Sequence, residues 1–392
     1  MSSYHSQEQT LAQLPLPSEQ EIEHSKQLIN AIVLQLGSDN GVLSFYDFMN
    51  SVLYQPGLGY YSAGSTKIGA GGDFVTAPEI SVLFGRCLAR QCESAFGQGC
   101  DRNILEFGAG RGSLCLHLLE SLDQLESYNI IEISADLRQR QEDFLSTNLP
   151  PSAYQLINWL DRLPRDFDGV VIGNEVLDAM PVHVVIKDEN WRELGVGYQQ
   201  ERFHWLDYTD HGEAVSTIKA IEGRVGELPQ GYCTEINLNY QPWLSALNDS
   251  CNKALILMID YGFEEKHYYH PQRINGTLNC HYRHRRHSDP FVYPGLQDIT
   301  AFVDFDAFAN AASVSGFSIC GLASQRDFLL ANGLLEDAGV SDREDSNLSQ
   351  FKRAQEIKTL TLPGEMGDSF KVIGLQKNLK LELPALSGGD TV

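Results

Sequence analysis

With 392 residues, 42% of them hydrophobic and 10% aromatic, the chain has enough apolar mass for one large domain with insertions or for two domains. A formal net charge of −23 argues against nucleic acid, whose phosphates want a basic surface, and fits simple solubility or a basic protein partner. The 8 cysteines form no CxxC pair, so neither a zinc knuckle nor a redox dithiol is indicated, and no stretch is long and apolar enough for a membrane span.

The N-terminus has no basic residue before Lys26, which excludes a standard secretory signal and fits a transit peptide poorly; a cytoplasmic location is expected. Residues 1–17 read as a loose tail, and Pro17, Ser18 and Glu21 open a helix running to about Leu36. SFYDFMNSVLYQPGLGYYS carries a second helix, stopped by Pro56 and Gly57. KIGAGGDFVTAPEISVLFG is a glycine-rich loop entering a helix over 79–97, with Thr76 or Ser81 as cap and Pro78 near its first turn. Strand and helix then alternate as in a parallel sheet: NILEFG, helix 112–125, YNIIEIS, helix 135–146, a short strand at 154–158 and strand 169–173. Residues 182–240 break the rhythm with antiparallel hairpins and a strand leading into a helix. A buried strand at 254–262, a long loop over 263–298, helices near 304–314 and 347–359, and the strand SFKVIGLQ follow. The expected fold class is α/β, a Rossmann-like, doubly wound domain at 101–182 and 254–377. Around it stand a helical N-terminal extension at 18–100, an inserted β-rich substrate subdomain at 183–253, and disordered tails at 1–17 and 378–392.

NILEFGAGRGSLCLHLL puts Glu106, Gly108, Gly110 and Gly112 on a strand-to-helix turn. Glycines there let the backbone approach a ligand, and the helix start offers free N–H groups. A dinucleotide site wants GxGxxG, but counting from Gly108 its third glycine is replaced by Ser113. An acid two residues before GxGxG is instead the pattern of S-adenosylmethionine-dependent methyltransferases, where the acid helps hold the amino-acid end of the cofactor. Glu132, at the end of the next strand, can accept from both ribose hydroxyls in either cofactor class.

VVIGNEVLDAMPV ends a buried strand in Asn174 and Glu175, with Asp178 shortly after. Ligands of open α/β sheets bind beyond the carboxyl ends of the strands, so these groups should face the cleft of Gly108–Gly112. Glu175 can pair with a guanidinium or ammonium and Asn174 can orient an amine; alternatively Asn174 and Asp178 cap a following helix. Gly71, Gly72 and Asp73 form a polar loop suited to a flap that closes over a cofactor. His281, His284 and His287 have helical spacing, but Arg283, Arg285 and Arg286 beside them would repel a cation, so no metal site is expected and a basic contact loop is the better reading.

From about 40 to 377 the chain resembles the MidA-like class I methyltransferases. The resemblance rests on GDFVTAPEIS, LEFGAGRGSL, IEIS with LR and Q at 131–141, GNEVLDAMPV, IDYG, GTL with HYRHRRH, PGLQDITAFVDF and LPGEMGDSFKVIGL, in that order. It implies a class I methyltransferase sheet binding S-adenosyl-L-methionine through Glu106, Gly108, Gly110, Gly112 and Glu132, with Asp73 and Thr76 from the flap. Mitochondrial members of the family methylate an arginine of a respiratory complex I subunit, so the implied partner is a protein bearing an arginine; a homodimer is compatible. In that chemistry Glu175 would localise guanidinium charge, Asn174 would orient the acceptor, and Asp178 or Asp260 would support them. Two rivals stand beside this reading: an NAD(P)-dependent oxidoreductase, and an assembly chaperone that keeps the cofactor as a structural ligand.

Overall fold

The structure is a computed structural model that describes residues 14–38, 41–63, 75–209, 212–339 and 347–386. Helices α1 (Glu19–Ser38) and α2 (Phe45–Tyr54) flank the short strand β1 (Leu43–Ser44), and the Ser44 hydroxyl accepts the Asp47 N–H to start α2. The single helix expected over 79–97 is broken in two. Ser81 is extended, ends the turn Ala77–Ile80, and caps α3 (Val82–Gly97) through the Leu83 N–H.

The parallel alternation follows as β2 (Asn103–Phe107), α4 (Ser113–Ser121), β3 (Ser127–Ile131), α5 (Ala135–Asn148), β4 (Ile157–Leu160) and β5 (Phe167–Asn174). Then come β6 (His183–Lys187), β7 (Trp191–Gln199), β8 (Arg202–Tyr208), α6 (Glu213–Val225), β9 (Cys233–Ile236), α7 (Tyr240–Ser250) and β10 (Cys251–Phe263). The stretch expected to be a long loop instead carries β11 (Asn279–Tyr282), β12 (Arg285–His287) and β13 (Asp298–Thr300). These strands are short and polar, so no apolar run announces them. β14 (Val303–Asp304), α8 (Phe305–Val314), β15 (Ser318–Ser324), α9 (Gln325–Ala331), α10 (Asn347–Thr361) and β16 (Phe370–Lys377) complete the order.

Two compact units divide the chain. Unit 1 holds Met1–Phe74, Asp178–Asn239 and Glu264–Phe302; unit 2 holds Val75–Leu177, Tyr240–Phe263 and Val303–Val392.

Unit 2 is built on an 8-stranded sheet in the order β15-β16-β10-β5-β2-β3-β4, with β14 added to β10. β10, β5, β2, β3 and β4 run parallel, while β16 is antiparallel to both β10 and β15. Leu255, Ile256, Leu257, Met258 and Ile259 are all buried, as a strand covered on both faces must be, which is why β10 reads as an unbroken apolar run. Each such side chain contributes about 1.5–3 kcal/mol of burial free energy. From β2 the chain moves outward to β3 and β4, then returns to lay β5 on the other side of β2. The strand order therefore reverses between β2 and β5, which is where ligands of such sheets bind. Within the stretch expected to be a loose tail, Leu381, Leu383 and Leu386 are buried, and Leu386 lies over Gly374 and Gly321, whose missing side chains leave it room.

Unit 1 has a 5-stranded antiparallel sheet, β1-β7-β6-β9 with β8 on β7, and a 3-stranded sheet, β12-β11-β13. Its core is aromatic: Phe48 packs on Phe203 and Phe291, and Trp205 on Phe45 and Phe291. Among the described residues, no helix is long and apolar enough to cross a membrane.

Candidate active site

β2 and β5 are neighbours with Phe107 opposite Gly173, so the turn after β2 and the residues after β5 leave unit 2's sheet side by side. A Cβ on Gly108 would lie 3.4 Å from the Val176 side chain, which measures how closely the two turns approach. Gly108, Gly110 and Gly112 take φ of 60°, 55° and 92°, left-handed values that side chains rarely adopt. Gly112 caps α4 and is also sterically confined, since an added Cβ would meet Leu145 at 3.2 Å. The turn thus delivers the positive end of a helix to the switch point of the sheet.

Two carboxylates border this turn. Glu106, on β2, is 3% exposed and accepts a 2.6 Å hydrogen bond from the Tyr128 hydroxyl. Burial pushes its carboxyl up to about 7; the Tyr128 hydrogen bond opposes the rise and the charge of Glu132 adds to it. Glu132, just beyond β3, accepts the Ser134 N–H at 2.9 Å and Gln141 Nε2 at 3.2 Å. Its pKa is raised by burial, with the Ser134 and Gln141 hydrogen bonds pulling the other way. Gln141 and Tyr128 are the residues that pattern reasoning misses here. Gln141 could have been found: on the polar helix α5 it stands four positions before Leu145, on the one face that is buried.

At the end of β5, Asn174 Nδ2 donates to Glu175 Oε1 at 3.0 Å, while Asn174 Oδ1 is buried with no hydrogen-bond partner among the described residues. Glu175 itself has φ of 55° and its N–H donates to Ile259 O at 2.8 Å. A left-handed glutamate costs about 1–2 kcal/mol, so its neighbours must impose it. Asp260 does so: its Oδ2 accepts the N–H groups of Val176 at 3.1 Å and Leu177 at 2.8 Å, and its Oδ1 accepts that of Tyr261 at 2.9 Å. Gly173 completes the device, because a Cβ there would come within 2.3 Å of Met258.

Thr76 opens the turn Ala77–Ile80, which packs against α4, but its side chain makes no capping bond. Gly71, Gly72 and Asp73 lie outside the described residues. Asp178 does not cap a helix, and neither does Asn174, since the chain passes through a turn into β6. Asp178 belongs to unit 1, where it is buried near Tyr61 and its carbonyl accepts the Ala301 N–H at 2.9 Å. His281, His284 and His287 fall on a hairpin rather than a helix, with Arg283 and His284 forming its left-handed turn. Among the described residues no group of three or more His, Cys, Asp or Glu could hold a metal.

Residues 87–323 match the family model of S-adenosyl-L-methionine-dependent methyltransferases. The chain belongs to this family. A protein of Burkholderia thailandensis, crystallised bound to S-adenosyl-homocysteine, is 38% identical, with 96% of this chain and 98% of that one covered at a TM-score of 0.90. The protein arginine methyltransferase NDUFAF7 of Danio rerio is 29% identical across 87% of this chain and 85% of its own. Its Drosophila melanogaster homolog is 27% identical across 86% and 82%. Both relatives are named as mitochondrial, which overturns the cytoplasmic expectation drawn from the N-terminus.

This methyltransferase uses S-adenosyl-L-methionine, and the residues of unit 2 suit it. A left-handed glycine turn accommodates close backbone approach, and an ionised Glu132, a carboxylate with about four lone-pair sites, keeps acceptor capacity for a ribose diol beside its bonds to Ser134 and Gln141.

Proposed function

We propose that the methyl acceptor is an arginine guanidinium of a protein and that Glu175 is the residue that prepares it. The observation carrying this reading is Glu175 at the end of β5, its backbone left-handed, the two following N–H groups held by Asp260, and its carboxylate bonded by Asn174. The names of the relatives from Danio rerio and Drosophila melanogaster, protein arginine methyltransferases, support a protein acceptor and this chemical class.

A guanidinium nitrogen is a poor nucleophile because its lone pair is delocalised. A carboxylate paired to the far nitrogens concentrates positive charge there and returns electron density to the near one. Bound S-adenosylmethionine supplies the methyl as an already reactive sulfonium. The chain's task is then to align the nitrogen with that carbon and exclude water; as the N–C bond forms and the S–C bond breaks, the nitrogen's proton passes to the Glu175 carboxylate. The buried Asn174 Oδ1 is suited to accept an N–H of the acceptor and fix its angle.

Glu175→Gln keeps shape and removes charge. Its kcat should fall on the order of 10²-fold while the dissociation constant for S-adenosylmethionine stays unchanged. Full turnover with intact cofactor binding would refute the assignment.

A further inference from the structure

Gln141 is fully buried on α5, and its single amide spans the carboxyl ends of three successive strands of unit 2. Nε2 donates to Gly110 O at 2.9 Å in the turn after β2 and to Glu132 Oε2 at 3.2 Å after β3, while Oε1 accepts Trp159 Nε1 at 3.0 Å on β4. The orientation of the amide is chemically determined. An indole N–H can only donate and a peptide carbonyl can only accept, so the NH2 group must face Gly110 and Glu132.

We propose that Gln141 is a positioning residue for the nucleoside end of the cofactor, acting through Glu132, with Trp159 setting the amide's orientation. The inference rests on Glu132 as the ribose-binding carboxylate. Backbone N–H groups of Ile133 and Ser134 hold Glu132 from its own turn, and among the described side chains that of Gln141 bonds its other carboxylate oxygen. Without Gln141 the carboxylate loses the side chain that aims it, and can rotate away from the geometry a vicinal diol requires. Gln141 touches no reacting atom, so its effect should fall on cofactor affinity and not on the methyl-transfer step.

The test is a double-mutant cycle read by calorimetric binding of S-adenosylmethionine and S-adenosylhomocysteine to the full chain. Glu132→Ala alone should weaken binding at least 10-fold. Gln141→Leu alone should weaken it about 10-fold, the scale of one buried hydrogen bond. Together they should be little worse than Glu132→Ala alone, because the amide has lost the group it positions. Trp159→Phe, which removes only the indole N–H, should reproduce the pattern at about 3-fold and serves if Gln141→Leu folds poorly. With saturating cofactor, kcat of both variants should match the parent chain. Losses that add in full in the double variant, or no loss in Gln141→Leu and Trp159→Phe, would overturn the role of Gln141 while leaving Glu132 in place. Unchanged affinity in Glu132→Ala would instead remove the reading on which the proposal stands, and the proposal with it.

Discussion

Glu106 is an acid two residues before a glycine turn in the sequence and a buried acid in the structure, and burial decides how it behaves. Its carboxyl rises from an ordinary 4.5 to about 7 because desolvation outweighs the single hydrogen bond from Tyr128. A folded-state pKa above the unfolded one means that the folded chain binds more protons between those two values. The associated stability is complete below about pH 4.5 and is lost as pH rises through about 7. The Glu106→Gln variant should therefore lack one component of the parent's stability loss between those limits, seen as a flatter plot of unfolding midpoint against pH. Parallel plots for the two proteins would show that Glu106 does not titrate there. At this scale the sequence singles out groups that stand on a motif, and the three glycines, Glu106, Glu132, Asn174 and Glu175 lie at or just beyond the ends of β2, β3 and β5. It hid Gln141 and Tyr128, whose hydrogen bonds reach across strands. It also left open the part of Asp178, which packing assigns to unit 1.

At the scale of elements, the end of β5 works because β10 lies beside it. Asn174 pairs with Ile259, the Glu175 N–H bonds to the Ile259 carbonyl, and Asp260 gathers the next two N–H groups. Asp260→Ala would strip three backbone N–H groups of their acceptor, two of them in the turn that holds Glu175 left-handed. It should cost about 3 kcal/mol in urea unfolding, with a matching loss of turnover. A change below about 1 kcal/mol would show that the turn holds itself. β10 and β5 were readable as apolar runs because both faces of a central parallel strand are covered. The 3-stranded sheet was not, since its strands are short and bear His281, Arg285 and Arg286. β15 was obscured by a shift in register between Ile319 and Gly321, which interrupts any alternation, and α9 is too short for helical periodicity to show.

At the scale of the whole molecule, each unit is gathered from three separated stretches of chain. Hydrophobic periodicity reports on neighbours in sequence, so an extension, an insertion and a loop can read as independent pieces and still share one core, as Phe48, Phe203 and Phe291 of unit 1 do. The fold class survived this because the alternation from β2 to β5 is contiguous and carries the glycine turn. The net charge of −23 is consistent with a basic acceptor, and the central claim is that this acceptor is arginine. The most direct measurement incubates the purified full chain with methyl-labelled S-adenosylmethionine and a protein extract from cells lacking the enzyme, then identifies the labelled residue after hydrolysis. The account requires label in methylarginine, abolished by Gly110→Val, which forces a branched side chain onto a left-handed position of the cofactor turn. A chain that binds the cofactor yet places label on no protein, or on a residue other than arginine, would contradict it.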